Sequence, residues 1–231
     1  MRKYWYMNKP IRPAQTVLVL DLDDTLYAEQ HYKRSGIEAV CRHIAELYPQ
    51  HTAEGLMAQT DPESSRWLEQ LCAFCGFNDS EKQSLLWVYR LHRPNLTGCM
   101  PSEKLKQLMQ PFAARVLISD GRSLSQRRKL SALGLLDAFE HIMISEAWQS
   151  EKPDARRFLA VEAAYPGKTC IYVGDNTKKD FLAPNRLGWL TIGILPQAHH
   201  IHRHRPQDFD AASQPALWLD NIGSLANLIA A

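Results

Sequence analysis

Hydrophobic and polar positions fall along this chain in three different rhythms. Val17 to Leu20 is an unbroken apolar run of the kind that forms a strand buried on both faces. From Gln30 to about Pro94 the spacing is helical. Ile37, Val40, Cys41, Ile44, Leu47 and Tyr48 mark one amphipathic helix that stops near Pro49. Thr52 to Gln59 predicts a short helix. Asp61-Pro62-Glu63 reads as the start of another, with Trp67, Leu68, Leu71, Cys72 and Cys75 inward and Gly76 as its stop. Ser80 to His92 predicts a further helix carrying Leu85, Trp87, Val88 and Leu91.

The second half alternates. Strands are predicted at Arg115 to Ser119, Ile142 to Ser145, Cys170 to Val173 and Leu190 to Leu195, with a short final one at Ala216 to Asp220. Helices are predicted at Ser123 to Leu133, closed by Gly134, at Pro153 to Tyr165, and at Ser224 to Ile229. Strands alternating with helices argue for an α/β fold with a parallel sheet covered on both faces. In such sheets the site lies outside the carboxyl ends of the strands. Polar clusters fall at three of those ends: Asp21 with Asp23, Ser119, and Asp175.

The first cluster, Asp21-Leu22-Asp23-Asp24-Thr25, carries the chemistry. Residues two apart in an extended segment point the same way, so Asp21 and Asp23 can converge. Two carboxylates about 4 Å apart repel by about 4 kcal/mol at an effective dielectric near 20. A strand end seldom tolerates that without a cation or a shared proton, and the pair is read as a site using Mg²⁺.

The chain resembles the haloacid dehalogenase-like (HAD) hydrolase superfamily. Its four motifs occur in order: Asp21 to Thr25, Ser119, Lys152 within Glu151-Lys152-Pro153, and Gly174-Asp175 with Asp180. The resemblance implies a Rossmann-like parallel-sheet core with a helical cap inserted after the first motif. The long gap between Asp21 and Ser119 and the short one between Ser119 and Lys152 place that cap at residues 29–97, with the core at 1–28 and 98–231.

It also implies roles. Asp21 is the expected nucleophile that forms an aspartyl-phosphate, and Asp23 the expected general acid and base. Ser119, Lys152, Asp120 and Gly121 are expected to bind phosphate. Asp21, the backbone carbonyl of Asp23, and Asp175 are expected to hold Mg²⁺. Thr25 is expected to position Asp23, and Asn176 to support the metal ligands. Asp180 is expected either to ligate the metal or to orient Lys152. Asp120 stands where many relatives carry Asn; a carboxylate beside phosphate needs a partner, and Arg122 is the nearest candidate in sequence.

The implied activity is Mg²⁺-dependent hydrolysis of a small phosphomonoester, with sugar phosphate placed slightly ahead of nucleotide. A phosphomutase or a hydrolytic dehalogenase of the same fold is the alternative. A dehalogenase releases no alkoxide, so it has no use for an acid at Asp23. A phospho-receiver would carry its acids on different strands and would lack the helical insert. Tyr32, Arg34, Trp67 and Arg90 are the cap residues nearest to a substrate-reading role.

Composition narrows the class. The net charge of +2 gives no basic field of the kind that binds nucleic acid. The N-terminal stretch lacks the apolar core of a signal peptide, and no apolar run approaches the ~18 residues of a membrane span. The five cysteines form no disulfide framework and read as reduced thiols. The expectation is a cytoplasmic monomer or homodimer acting on a small phosphorylated metabolite. His199, His200, His202 and His204 form a histidine-rich stretch that reads as a solvated loop.

Overall fold

In a computed structural model, residues 10–96, 99–197 and 209–229 are described. Six strands form one sheet: β1 (Thr16–Leu20), β2 (Ala114–Ser119), β3 (His141–Ile144), β4 (Thr169–Gly174), β5 (Leu190–Ile194) and β6 (Leu217–Leu219). Their order is β3-β2-β1-β4-β5-β6, and every neighbouring pair is parallel. The apolar run that opens the chain is therefore a central strand, and all five of its residues are buried. Because the strands are parallel, their carboxyl ends lie along one edge. Asp21, Asp120 and Asp175 each follow directly on a strand at that edge.

Alternate side chains of the sheet enter two separate cores. Leu18, Leu20, Leu117, Ile171, Val173 and Ile192 pack on one face with Leu105 and Met109 of α5 (Ser102–Met109) and Leu130 of α6 (Ser123–Ala132). Val17, Val19, Val116, Ile118 and Tyr172 pack on the other with Phe158 and Val161 of α8 (Arg156–Ala164) and Ala183 of α9 (Leu182–Arg186). Each fully buried aliphatic side chain contributes roughly 1.5–3 kcal/mol.

The helical insert comprises α1 (Glu29–Leu47), α2 (Ala53–Ala58), α3 (Trp67–Cys75) and α4 (Asp79–Leu91). These helices enclose a third core of Ile37, Val40, Ile44, Leu56, Leu68, Leu71 and Leu85. Asn78 and Glu81 form a complete capping box that starts α4. Gly76 ends α3 in the left-handed region, at φ 74°. A four-residue helix, α7 (Ser145–Trp148), follows β3 directly.

Several boundaries differ from the sequence expectation. Asp61 caps a turn, accepting from the Glu63 amide at 2.9 Å, and the helix begins only at Trp67. Pro153 also lies in a turn, so α8 starts at Arg156. Helix α5 was not anticipated. Ile11 is part of the core and pairs with Ile229. The histidine-rich stretch at His199–His204 lies outside the described residues.

Candidate active site

Lys152 sits at the centre of the site, buried to 6% exposure. Its ammonium donates to Asp21 Oδ1 at 2.6 Å and to the Tyr172 hydroxyl at 3.1 Å, and pairs with Asp180 Oδ1 at 2.6 Å. Tyr172 in turn donates to Asp180 Oδ1 at 2.9 Å, and the Asn176 amide donates to Asp180 Oδ2 at 2.8 Å. Both oxygens of Asp180 are thus engaged, which favours its orienting role towards Lys152. Burial works against the Lys152 cation, but Asp180 and Asp21 outweigh it and hold its pKa well above the usual lysine value.

The acids are crowded. Oxygens of Asp21, Asp175 and Asp180 all lie within 4.8 Å of one another. Burial, opposed by Lys152 and reinforced by Asp180 and Asp23, pushes the Asp21 carboxyl up to about 7. Burial followed by the charges of Asp180 and Asp21 raises Asp175 well above the carboxylate range. Thr25 Oγ1 donates to Asp175 Oδ1 at 3.5 Å, while Asp175 Oδ2 is buried without a hydrogen-bond partner. An orphaned buried carboxylate oxygen beside two further acids suits a hard divalent cation. The expected metal set of Asp21 and Asp175 is therefore brought together. Thr25 serves Asp175, where sequence reasoning had assigned it to Asp23.

Asp23 is turned to a different set of partners. Its Oδ1 accepts from Lys129 Nζ at 2.7 Å and from the Tyr27 hydroxyl, and its Oδ2 accepts from Gln126 Nε2 at 2.8 Å. Burial would raise its pKa, but the Lys129 charge and these donors prevail and hold it below the usual range. The Asp23 carboxylate is absent from the three-acid group, leaving only the backbone carbonyl for the metal role expected of it. Asp24 takes a positive φ of 51° and accepts from the Glu29 amide at 2.8 Å, so it shapes the turn into α1.

Arg157 answers the problem posed by Asp120. Fully buried, it donates from Nη2 to Asp120 Oδ1 at 2.5 Å and from Nη1 to the carbonyls of Ser119 and Met143, at 3.0 and 3.2 Å. Arg122, the expected partner, pairs with Glu146 at 3.5 Å. Asp120 also accepts from the Lys152 amide, at 3.1 Å through Oδ2. The Gly121 amide donates to Ser145 Oγ at 2.9 Å. The Asp120 carboxylate and the Gly121 amide, both assigned to phosphate, are thus committed to holding the loop. Ser119 is buried at the end of β2, where its Oγ accepts from Gln126 at 2.6 Å.

The chain from residue 16 to residue 188 matches the family model described as haloacid dehalogenase-like hydrolase. The chain belongs to this family. Two curated relatives carry the name glyceraldehyde 3-phosphate phosphatase. That of Methanopyrus kandleri is 24% identical over 192 residues, covering 77% of this chain and 82% of its own. That of Methanocaldococcus jannaschii is 31% identical over 81 residues, covering 34% and 36%. Among solved structures, YfnB from Bacillus subtilis, a HAD-hydrolase bound to magnesium, aligns with a TM-score of 0.63 at 16% identity, covering 94% of this chain and 99% of that one. A 2-haloacid dehalogenase from Pseudomonas syringae aligns with a TM-score of 0.60 at 20% identity, covering 92% and 97%. These likenesses show the HAD fold.

Sequence reasoning missed Lys129, Gln126, Tyr172 and Arg157. Lys129 and Gln126 lie three apart on α6, a spacing that shares a helix face, but nothing in their identity marks that face as inward. Of the cap candidates, Trp67 packs in the insert core and Arg34 is exposed. Tyr32 is buried with its ring centroid 4.4 Å from Lys129 Nζ, and Arg90 stacks over Trp87. Among the described residues no helix is long and apolar enough to cross a membrane.

Proposed function

We propose that this HAD hydrolase is a Mg²⁺-dependent phosphatase of small phosphomonoesters, working through an aspartyl-phosphate. The observation that carries the reading is the buried three-acid group around Lys152, in which Asp175 keeps an unpartnered oxygen. Asp21, Asp175 and the Asp23 carbonyl would hold the cation. When bound, it neutralises the acids and draws electron density from a phosphoryl oxygen.

Lys152 occupies Asp21 Oδ1, which leaves Oδ2 to attack phosphorus. The P–O ester bond breaks, and the departing oxygen takes a proton from Asp23 Oδ2, which first binds one from solvent because Lys129, Tyr27 and Gln126 keep the resting carboxylate ionised. Asp23 then takes a proton from water, whose oxygen attacks the aspartyl-phosphate and releases inorganic phosphate. Ser119 and Lys152 hold the phosphoryl oxygens. Residues 29–97 act as the cap, resting on the core where Ser125 Oγ donates to the Arg90 carbonyl at 3.2 Å. The curated relatives' name supports a short sugar phosphate as the substrate class.

Purified protein is expected to hydrolyse p-nitrophenyl phosphate with Mg²⁺ and not in EDTA, and Asp21→Asn is expected to abolish this. Undiminished turnover in EDTA would overturn the metal assignment. Ranking glyceraldehyde 3-phosphate, other sugar phosphates and nucleotides by kcat/KM then sets the substrate. Halide release from 2-haloacids, or a sugar phosphate isomer in place of free phosphate, would move the assignment to dehalogenase or mutase.

A further inference from the structure

Helix α6 presents two buried polar side chains to the site, Gln126 at 1% and Lys129 at 4% exposure. Burying an amide and an ammonium is costly unless each makes good hydrogen bonds. Here both spend them on groups of the proposed mechanism. Gln126 Nε2 shares its two hydrogens among three acceptors, Asp23 Oδ2 at 2.8 Å, Ser119 Oγ at 2.6 Å and the Asp120 carbonyl at 3.1 Å. A carboxylate and a carbonyl only accept, so the amide must face them with its NH₂ group. Lys129 Nζ donates to Asp23 Oδ1 at 2.7 Å, and that oxygen also accepts from Tyr27.

Two consequences follow from counting donors and lone pairs. Ser119 Oγ lies 2.6 Å from the Gln126 amide nitrogen, which accepts no hydrogen bond, so the Ser119 hydroxyl hydrogen must point elsewhere. At Asp23, Oδ1 is filled by two donors, whereas Oδ2 has one and keeps a lone-pair direction open. We propose that Gln126 and Lys129 are positioning residues, which aim the Ser119 hydroxyl at the phosphoryl group and present Asp23 Oδ2 to the leaving oxygen. This rests on the reading of Asp23 as proton donor. Gly121 fits the arrangement: at φ 143°, a Cβ there would stand 3.0 Å from Gln126 Cδ, so the loop closes tightly over the amide.

The experiment compares kcat/KM for two phosphomonoesters. p-Nitrophenyl phosphate has a leaving group that departs without a proton; β-glycerophosphate has one that needs it. General acid catalysis is worth about 10²- to 10⁴-fold, so misplacing the acid falls on the second substrate. Gln126→Ala and Lys129→Met are expected to lower the ratio of β-glycerophosphate to p-nitrophenyl phosphate kcat/KM by about tenfold or more. Lys129→Arg is expected to recover part of it, because it restores a cationic donor. The folded state is monitored by melting temperature.

Asp23→Asn is run alongside. If it leaves the ratio unchanged, the acid assignment itself fails. If it lowers the ratio while Gln126→Ala and Lys129→Met slow both substrates equally, the positioning proposal is overturned and the acid assignment stands. Should Lys129→Met not fold, Lys129→Gln takes its place and is read, with Gln126→Ala, by the same ratio.

Discussion

Replacing Arg157 by Met tests the energetics of the site most directly. Arg157 is fully buried, and the change leaves Asp120 without its guanidinium partner. Breaking a buried ion pair by removing one member costs about 3–5 kcal/mol. Asp120 keeps the Lys152 amide at 3.1 Å and Lys179 at 3.6 Å, and its side chain is 17% exposed, which pulls the cost towards the lower end. Two carbonyls, of Ser119 and Met143, lose a donor at about 1 kcal/mol each, which raises it again. The net is about 5 kcal/mol. For a chain of this size each kcal/mol moves the melting temperature by about 2–4 °C, giving a fall on the order of 10 °C.

The assay is urea or thermal unfolding of the single variant, of Asp120→Asn, and of the double variant. Asn at position 120 removes the buried charge, so the double variant is expected to be more stable than Arg157→Met alone. Coupled neighbours show interaction energies of about 0.5–3 kcal/mol in such a cycle. A loss under about 1 kcal/mol for Arg157→Met, or strictly additive changes, would refute the claim that Arg157 neutralises Asp120.

Two more outcomes follow from the same geometry. With its carboxyl pushed up to about 7, Asp21 binds a proton more tightly folded than unfolded, so its contribution to stability is present at acid pH and is lost as pH rises through that value. Without metal the melting temperature is expected to fall between about pH 4 and 7, and Mg²⁺ to restore more at about pH 7.5 than at about pH 4.5; a pH-independent Mg²⁺ shift would contradict this. At Gly174 an added Cβ would stand 2.5 Å from Asp180 Oδ2, so Gly174→Ala is expected to displace Asp180 from Lys152, cost about 1–3 kcal/mol and lower kcat/KM about tenfold or more, as read by melting and steady-state kinetics.

The α/β class, the run of helices between the first two strands and the strand-end acids were all legible in sequence, because each is a local signal: an apolar run, a helical period, an acid just past a strand. Partnerships were not. Arg122 stands two positions from Asp120 and was the natural choice, yet Arg157 reaches that carboxylate because α8 packs across the ends of β2 and β3. Tyr172 read as one more apolar strand residue; only the tertiary fold brings its hydroxyl to Lys152 and Asp180. Thr25 follows Asp23 in sequence but binds the end of β4. The delayed start of α3 has a local cause: Asp61 and Ser64 side chains satisfy the Glu63 and Arg66 amides in turns, which holds off the helix.

The three hydrophobic cores are nearly independent. The insert core shares no fully buried residue with either sheet layer among the described residues, and Tyr89 is the partly buried side chain that packs against both it and the α6 layer. Drift inside the insert can therefore redraw the surface it turns towards the acids while β1 and its neighbours stay fixed. In the cap reading proposed above, what the chain acts on and how it acts are inherited on separate stretches of polypeptide. Selectivity can evolve in one of them without each step having to rebuild the chemistry in the other.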